Sequence, residues 1–387
     1  MAEFQQQPPT RIKLRRDAII HAIAFTDDFY AVGDDEALTV FDASIDRAIQ
    51  RFEDIGTVLS VCFVGDRVAA GTLHGVVALR PQVSLNHETW DNLSLAPASS
   101  EREGVRAIAA TGSRLAAGDA AGRVCVWYCG EAAAQPLFAL KAAKDRTCAV
   151  EALALQDTSL VVARSALGST QVPLLSVWTL HESEPPEVSW SSDEEEDGDA
   201  SDDGDEFDPW HPTLSQRLVV NPSTATVDVH AVARSDPWDG GVLVAGAADG
   251  SVAAWKTFWD AGTRSVYFQE LWRGSVGASV QAIALAAGSA VIVPIGVGAA
   301  AAPVYLPKGD FADRVALAPP ARKPIGGANN CDGCGTPALV WDGSVQQGCP
   351  VCSAGTVVNA CALARDGKRL LAGGYDRSLH AWDLSPL

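Results

Sequence analysis

The sequence predicts an all-β chain built from repeated copies of one short-stranded unit. Apolar runs rich in Val, Leu, Ala and Ile recur along its 387 residues, each too short for a helix and bounded by turn residues. A Gly near the end of one run precedes a bulky residue in the next by a fixed interval. The interval is nine for Gly71 and Arg80, Gly118 and Trp127, Gly246 and Trp255, Gly296 and Tyr305, and Gly373 and Trp382. Gly33 precedes Phe41 by eight.

The unit reads as an apolar strand, a turn, a second strand ending in small residues, a tight turn, and a third strand ending in Trp or a similar residue. The clearest copies are GVRAIAATGSRLAAGDAAGRVCVWY, TVDVHAVARSDPWDGGVLVAGAADGSVAAWK and TVVNACALARDGKRLLAGGYDRSLHAWD. A Gly at the second strand's end permits a positive φ or a close backbone approach. Asp249-Gly250-Ser251 is a tight-turn signal. One copy, VVARSALGSTQVPLLSVW, has a longer turn and ends at Trp178. The third strands end at Phe41, Arg80, Trp127, Trp178, Trp255, Tyr305 and Trp382, which makes seven units. One unit cannot bury both faces alone, but seven packed radially can, so the expected architecture is a seven-bladed β-propeller over residues 11–387.

These units resemble WD repeats, and Trp382-Asp383 matches the dipeptide that names them. The resemblance implies a rigid disc that binds proteins and has no catalytic centre. The chain departs from the pattern in lacking the Gly-His that opens the repeat and in keeping Trp-Asp in one copy. W-D-x-R, which marks some ubiquitin-ligase substrate receptors of the family, is absent because Leu384 and Ser385 follow Trp382-Asp383.

Two intervals, Trp178 to Trp255 and Tyr305 to Trp382, each reach 77 residues, against about 40–45 for a plain blade. Both read as insertions. The first, over 182–216, contains fourteen acids and no bases between Glu182 and Asp208. Such a run cannot bury enough apolar surface to offset ordering, and disorder is expected. It reads either as a solubilising loop or as a docking segment for basic partners such as histones or ribosomal proteins, with Trp190, Phe207 and Trp210 as apolar anchors. Ser191, Ser192 and Ser201 suit an acidophilic kinase.

The second insertion, over 325–356, carries Cys331-x-x-Cys334 and, further on, Cys349-x-x-Cys352. It resembles a zinc ribbon: Gly335 and Pro350 sit where knuckles favour them, and TPALVWD is the strand between. Four thiolates make a closed tetrahedral site, so structural Zn2+ is expected at Cys331, Cys334, Cys349 and Cys352. Cys62, Cys125, Cys129, Cys148 and Cys361 lie in or beside apolar strands and read as small core residues.

Charge and composition narrow the function. The formal net charge is −19, most of it in the acidic run, which disfavours direct nucleic-acid binding. No run of 18 apolar residues predicts a membrane span, and the N-terminus lacks the apolar core of a signal peptide. Nine cysteines suit a reducing compartment, so the nucleus, nucleolus or cytoplasm is expected. Gly296-x-Gly298-x-x-Ala301 superficially resembles a dinucleotide fingerprint, but Pro303 interrupts the required helix and VYL reads as a strand. The histidines His21, His74, His87, His181, His211, His230 and His380 are scattered, and none has the spacing of a catalytic triad.

The favoured reading is a monomeric, non-catalytic scaffold within a larger complex, in nuclear or nucleolar assembly for ribosome maturation or chromatin. The alternative is a cytosolic adaptor in trafficking, cilia or protein turnover, and a remote third reading is an enzyme using the propeller channel. Finally, the sequence stops after the third strand of its last unit, while Ile12 and Leu14 alternate with charges in RIKLR. Residues 11–15 are therefore expected to form the outer strand of the last blade, beside His380 and Trp382, and so to close the ring.

Overall fold

The computed structural model describes residues 10–12, 14, 18–81, 91–95, 103–130, 134–140, 148–165, 175–182, 210–220, 228–234, 241–260, 262–263, 265–286, 288–294, 303–306, 312, 314–317, 358–374 and 377–385. They form seven four-stranded antiparallel sheets. A short strand, β1 (Thr10–Ile12), comes first. Blade 1 follows as β2 (Ile20–Phe25), β3 (Phe29–Asp34), β4 (Leu38–Asp42) and β5 (Arg47–Phe52). Blade 2 holds β6 (Val58–Val64), β7 (Arg67–Thr72), β8 (Val76–Pro81) and β9 (Asp91–Ser94). Blade 3 holds β10 (Val105–Thr111), β11 (Arg114–Asp119), β12 (Val124–Cys129) and β13 (Ala134–Leu140). Blade 4 holds β14 (Val150–Gln156), β15 (Ser159–Arg164), β16 (Leu175–Glu182) and β17 (Trp210–Leu218). Blade 5 holds β18 (Val229–Arg234), β19 (Val242–Ala247), β20 (Ser251–Asp260) and β21 (Ser265–Ser275). Blade 6 holds β22 (Val280–Ala286), β23 (Ser289–Pro294), β24 (Val304–Leu306) and β25 (Val315–Ala316). Blade 7 holds β26 (Val358–Leu363), β27 (Arg369–Gly374) and β28 (Leu379–Asp383).

The first strand of each blade packs against the first strand of the next, from β2 round to β26 and back to β2. These strands form the inner ring of a seven-bladed β-propeller. The expected closure is present. β1 pairs antiparallel with β28, Arg11 opposite His380 and Ile12 opposite Leu379, and supplies the outer strand of blade 7. Ile12 is buried, and Leu14 packs against the same apolar cluster. The strand is Thr10–Ile12 where 11–15 was expected: it starts one residue earlier and ends at Ile12, with Leu14 beyond its end.

Apolar clusters fill every seam between blades. The glycine spacing has its cause there. A Cβ on Gly118 would fall 2.7 Å from Val150 Cβ, at the start of the next blade's inner strand, and closer still to its Cγ1. Gly33, Gly71, Gly246 and Gly373 meet Val58, Val105, Val280 and Ile20 in the same way. Blade 4 places Ala163 there against Val229.

Blade 6 corrects the sequence register. Ala282 pairs with Val293, as Ala107 pairs with Gly118, so Val293 holds the glycine position rather than Gly296. Ala290 pairs with Leu306, as Leu115 pairs with Trp127, so Leu306 takes the tryptophan position. Leu306 packs toward blade 5, whereas Tyr305 packs toward blade 7. A nine-residue spacing alone does not set the pairing, and Gly296 lies outside the described residues. VYL is a strand, as expected.

The expected acidic insertion, 182–216, also changes its bounds. Glu182 ends β16, and 210–216 belong to β17, whose Leu218 and following Val220 are buried in the seam with blade 5. Apolar burial anchors this segment to the sheet, and the residues between the described strands narrow to 183–209. In blade 5 the hairpin β20–β21 is unusually long, and side chains of blade 4 cap its edge. Gln216 accepts from Phe268 N at 2.7 Å and donates to Phe268 O at 3.2 Å, while Thr179 Oγ1 accepts from Val266 N at 3.1 Å. Edge groups that could pair with another chain are thereby occupied.

Candidate functional site

Strand direction defines two faces. One, the upper, carries the starts of the first strands and the turns between second and third strands. The other, the lower, carries the remaining hairpin turns. Residues 183–209 are anchored at Glu182 and Trp210, between a third and a fourth strand, on the lower face. The segment with the four paired cysteines is anchored between β25 and β26, a blade-to-blade connection, on the upper face. Cys331, Cys334, Cys349 and Cys352 lie outside the described residues, as do Ser191, Ser192, Ser201, Trp190 and Phe207. Trp210 opens β17. Among the described residues no group of three or more His, Cys, Asp or Glu is placed to hold a metal, and no helix is long and apolar enough to cross a membrane.

At the upper mouth of the channel every inner strand carries a bulge. The register slips after Ile20, Val58, Val105, Val150, Val229, Val280 and Val358. Each of these residues covers the small-residue position of the preceding blade, and the next residue becomes the extra one. The seven extra residues are His21, Leu59, Arg106, Glu151, His230, Gln281 and Asn359. Several tie neighbouring blades together. Arg106 Nη1 donates to both Glu151 oxygens at 2.9 and 3.2 Å. Asn359 Nδ2 donates to Ile20 O at 3.1 Å across the closure seam.

His21 Nε2 lies 2.7 Å from Asp35 Oδ1, while Asp35 Oδ2 accepts from Ile19 N. Sequence spacing missed this pair, because the strand β2 turns back through β3 before Asp35 arrives beside the bulge. Farther out, Asp34 accepts from Glu36 N and Ala37 N, and Arg51 reaches Asp34, Glu36 and Glu53. Asp119 accepts from Ala121 N and Arg123 N and pairs with Arg123 Nε at 2.5 Å. Arg51, Arg106 and Arg123 are thus each committed to carboxylates, and acids outnumber them at this mouth.

On the lower face a cavity of about 570 Å³ opens between blades 1 and 7, lined by Phe25, Asp27, Asp28, Asp42 and Arg365 among others. Arg365 pairs with Asp27 at 3.1 Å at its exposed rim, and Arg369 with Asp46 at 2.5 Å. Asp42 is held below the usual carboxylate range by the Ser44 hydroxyl and backbone N–H.

The five remaining cysteines are buried or half-buried, as expected of core residues. Burial pushes the Cys125 and Cys129 thiols up to about 11 and Cys361 up to about 12, so they are protonated at neutral pH and poor nucleophiles.

The chain is therefore a seven-bladed β-propeller. The profile of the family "WD domain, G-beta repeat" matches residues 348–383, which include all three strands of blade 7 from β26 to β28. A search of curated proteins finds no match. Among solved structures, the chain is similar to the RRP9 WD40 repeats, with 14% identity and a TM-score of 0.59 over 98% of this chain and 99% of that one. It is likewise similar to U3-55K, with 14% identity and a TM-score of 0.56 over 97% and 98%. A chain of the mitotic checkpoint complex gives 14% identity and a TM-score of 0.57 over 99% and 95%. At these identities the likeness concerns the fold.

Proposed function

We propose that this protein is a non-catalytic interaction scaffold that holds basic protein segments at the upper mouth of the propeller, in nuclear or nucleolar assembly such as ribosome maturation or chromatin. The observation that carries this reading is the mouth itself. A closed ring presents seven bulge residues, set among carboxylates, and the neighbouring Arg51, Arg106 and Arg123 are already paired. A Lys- or Arg-rich segment meets complementary charge there. The acidic run, whose flanking strands end at Glu182 and begin at Trp210 on the opposite face, is a second basic-partner segment, and its serines are phosphorylation sites. Similarity to a chain crystallised within a checkpoint complex supports an assembly role.

The test is titration of a histone-tail peptide into the full chain. Asp35→Asn with Glu151→Gln is expected to weaken binding roughly threefold to tenfold, with the loss shrinking as salt rises. An unchanged affinity, or equal binding of an acidic control peptide, refutes the reading.

The four paired cysteines are proposed to hold one structural zinc. The donor set of four thiols fits this ion, and zinc binding would fold a segment too small for its own core. Metal analysis of the purified protein is expected to give one zinc per chain. Cys349→Ser is expected to lose it while leaving the propeller's thermal midpoint close to that of the parent. A zinc-free parent protein, or zinc retained by the variant, counts against the site.

A further inference from the structure

At the upper mouth, blade 2 presents two leucines, Leu59 and Leu73. Leu59 is the extra residue at the bulge of β6, and the other bulge positions carry His, Arg, Glu, His, Gln and Asn. Leu73 follows β7 in the turn to β8 and is 51% exposed. The equivalent turn residues in blades 1, 3, 4 and 5 are Asp35, Ala120, Ser165 and Ala248, all polar or small. Among the described residues neither leucine belongs to the apolar clusters of the adjoining seams. One exposed leucine on a surface is ordinary, but two at positions otherwise polar or small need a reason.

The two share one spot, and its geometry is fixed. A Cβ on Gly104, in the connection from blade 2 to blade 3, would fall 3.0 Å from Leu59 Cδ1, 3.3 Å from Leu73 O and 3.5 Å from Leu73 Cα. The bare glycine therefore leaves a notch bounded by the Leu59 side chain and the Leu73 backbone. Leu73 N donates to Thr57 O at 3.0 Å, and Thr57 Oγ1 donates to Asp35 O at 2.8 Å. Thr57 thus pins the turns of blades 1 and 2 side by side, with one threonine and two hydrogen bonds between Asp35 and Leu73. Carboxylates flank the notch on both sides: Asp35, whose side chain is 41% exposed, and the exposed Glu103 next to Gly104. On the blade 3 side Arg106 is held by Glu151.

We propose that this notch is an apolar subsite of the upper mouth. It takes one large aliphatic side chain of a partner segment, while Asp35 takes a Lys or Arg a few residues along the same segment. The inference rests on the reading that basic segments bind at this mouth, and it narrows the partner to segments that pair a cation with a bulky aliphatic residue. Charge complementarity selects that occupant, because an acidic segment would set its own carboxylates against Asp35 and Glu103. Two subsites on neighbouring rigid turns also fix the register of an extended segment, which charge alone does not.

The probes are two short peptides of alternating lysine and glycine, one with a central leucine and one with alanine in its place, each titrated into the full chain. The leucine peptide is expected to bind about fivefold more tightly, the worth of covering half a leucine side chain. Added salt is expected to weaken both peptides and to preserve their ratio. Leu73→Ser is expected to remove the leucine peptide's advantage. Leu59→Gln, which supplies the residue type that blade 6 carries at Gln281, is expected to do the same. If neither variant folds, amide exchange in the parent decides: the leucine peptide must slow the amides of Leu73 and Gly104 more than the alanine peptide does. Equal affinities in the parent, an advantage that survives both substitutions, or equal slowing overturns the subsite and leaves the basic-segment mouth standing. Binding of neither peptide overturns both.

Discussion

Deleting residues 1–16 is expected to lower the thermal midpoint by roughly 4–6 °C and to produce concentration-dependent association. The deletion removes β1 and so strips the outer strand from blade 7. Ile12 leaves a buried site, a loss of about 1.5–3 kcal/mol. The pairing of Thr10, Arg11 and Ile12 with Ala381, His380 and Leu379 is lost as well. Together these amount to roughly 3–5 kcal/mol, and a chain of this size gives up about 1.2 °C per kcal/mol. The exposed edge of β28 then offers unpaired backbone groups to a second chain. Thermal unfolding and size-exclusion chromatography at several concentrations check both effects. A truncated protein that melts within a degree of the parent and elutes as a monomer shows that β1 contributes nothing to closure.

Replacing Gly118 by Val is expected to destabilise the fold by about 3–4 kcal/mol, more than most single substitutions. The reason is the contact already described: even a Cβ alone would overlap Val150 of the next blade. Val150 sits at the bulge of β14 and cannot retreat without moving the inner ring. Gly118→Ala tests the same contact more gently, at about 1–3 kcal/mol. Combining it with Val150→Ala should recover part of that loss, because the two sites touch and their effects are not additive. Denaturant unfolding of the four proteins measures the coupling. Strict additivity would mean that the glycine is present for some reason other than close approach. Blade 4 is the natural comparison, since Ala163 stands at this position and its seam accommodates a Cβ.

The candidate site was much less legible than the fold. The bulge residues fall in apolar strands and carry no common residue type, from His21 and Leu59 to Asn359. Their equivalence appears only when each inner strand is paired with its neighbour and the slip is seen. The Arg106–Glu151 pair joins residues 45 apart, and the Arg234–Ser159 bond residues 75 apart. No local pattern signals either. Cys331, Cys334, Cys349 and Cys352 are the reverse case: their chemistry is read from spacing alone.

The sequence by itself determined the blade count, the all-β class and the strand that closes the ring. Those properties follow from local rules: alternation in RIKLR, turn residues between short apolar runs, and a small residue wherever the next blade comes too close for a side chain. It failed in blade 6, where Val293 and Leu306 replace Gly and Trp and a coincidental Gly296 offered a false register. Only the tertiary structure decided which side chains meet across seams, which face each insertion leaves from, and that Leu59 and Leu73 come together beside Gly104. The physical reason is that pairing across a seam depends on the summed register of two whole sheets, and one slipped residue at a bulge turns a side chain toward a different neighbour.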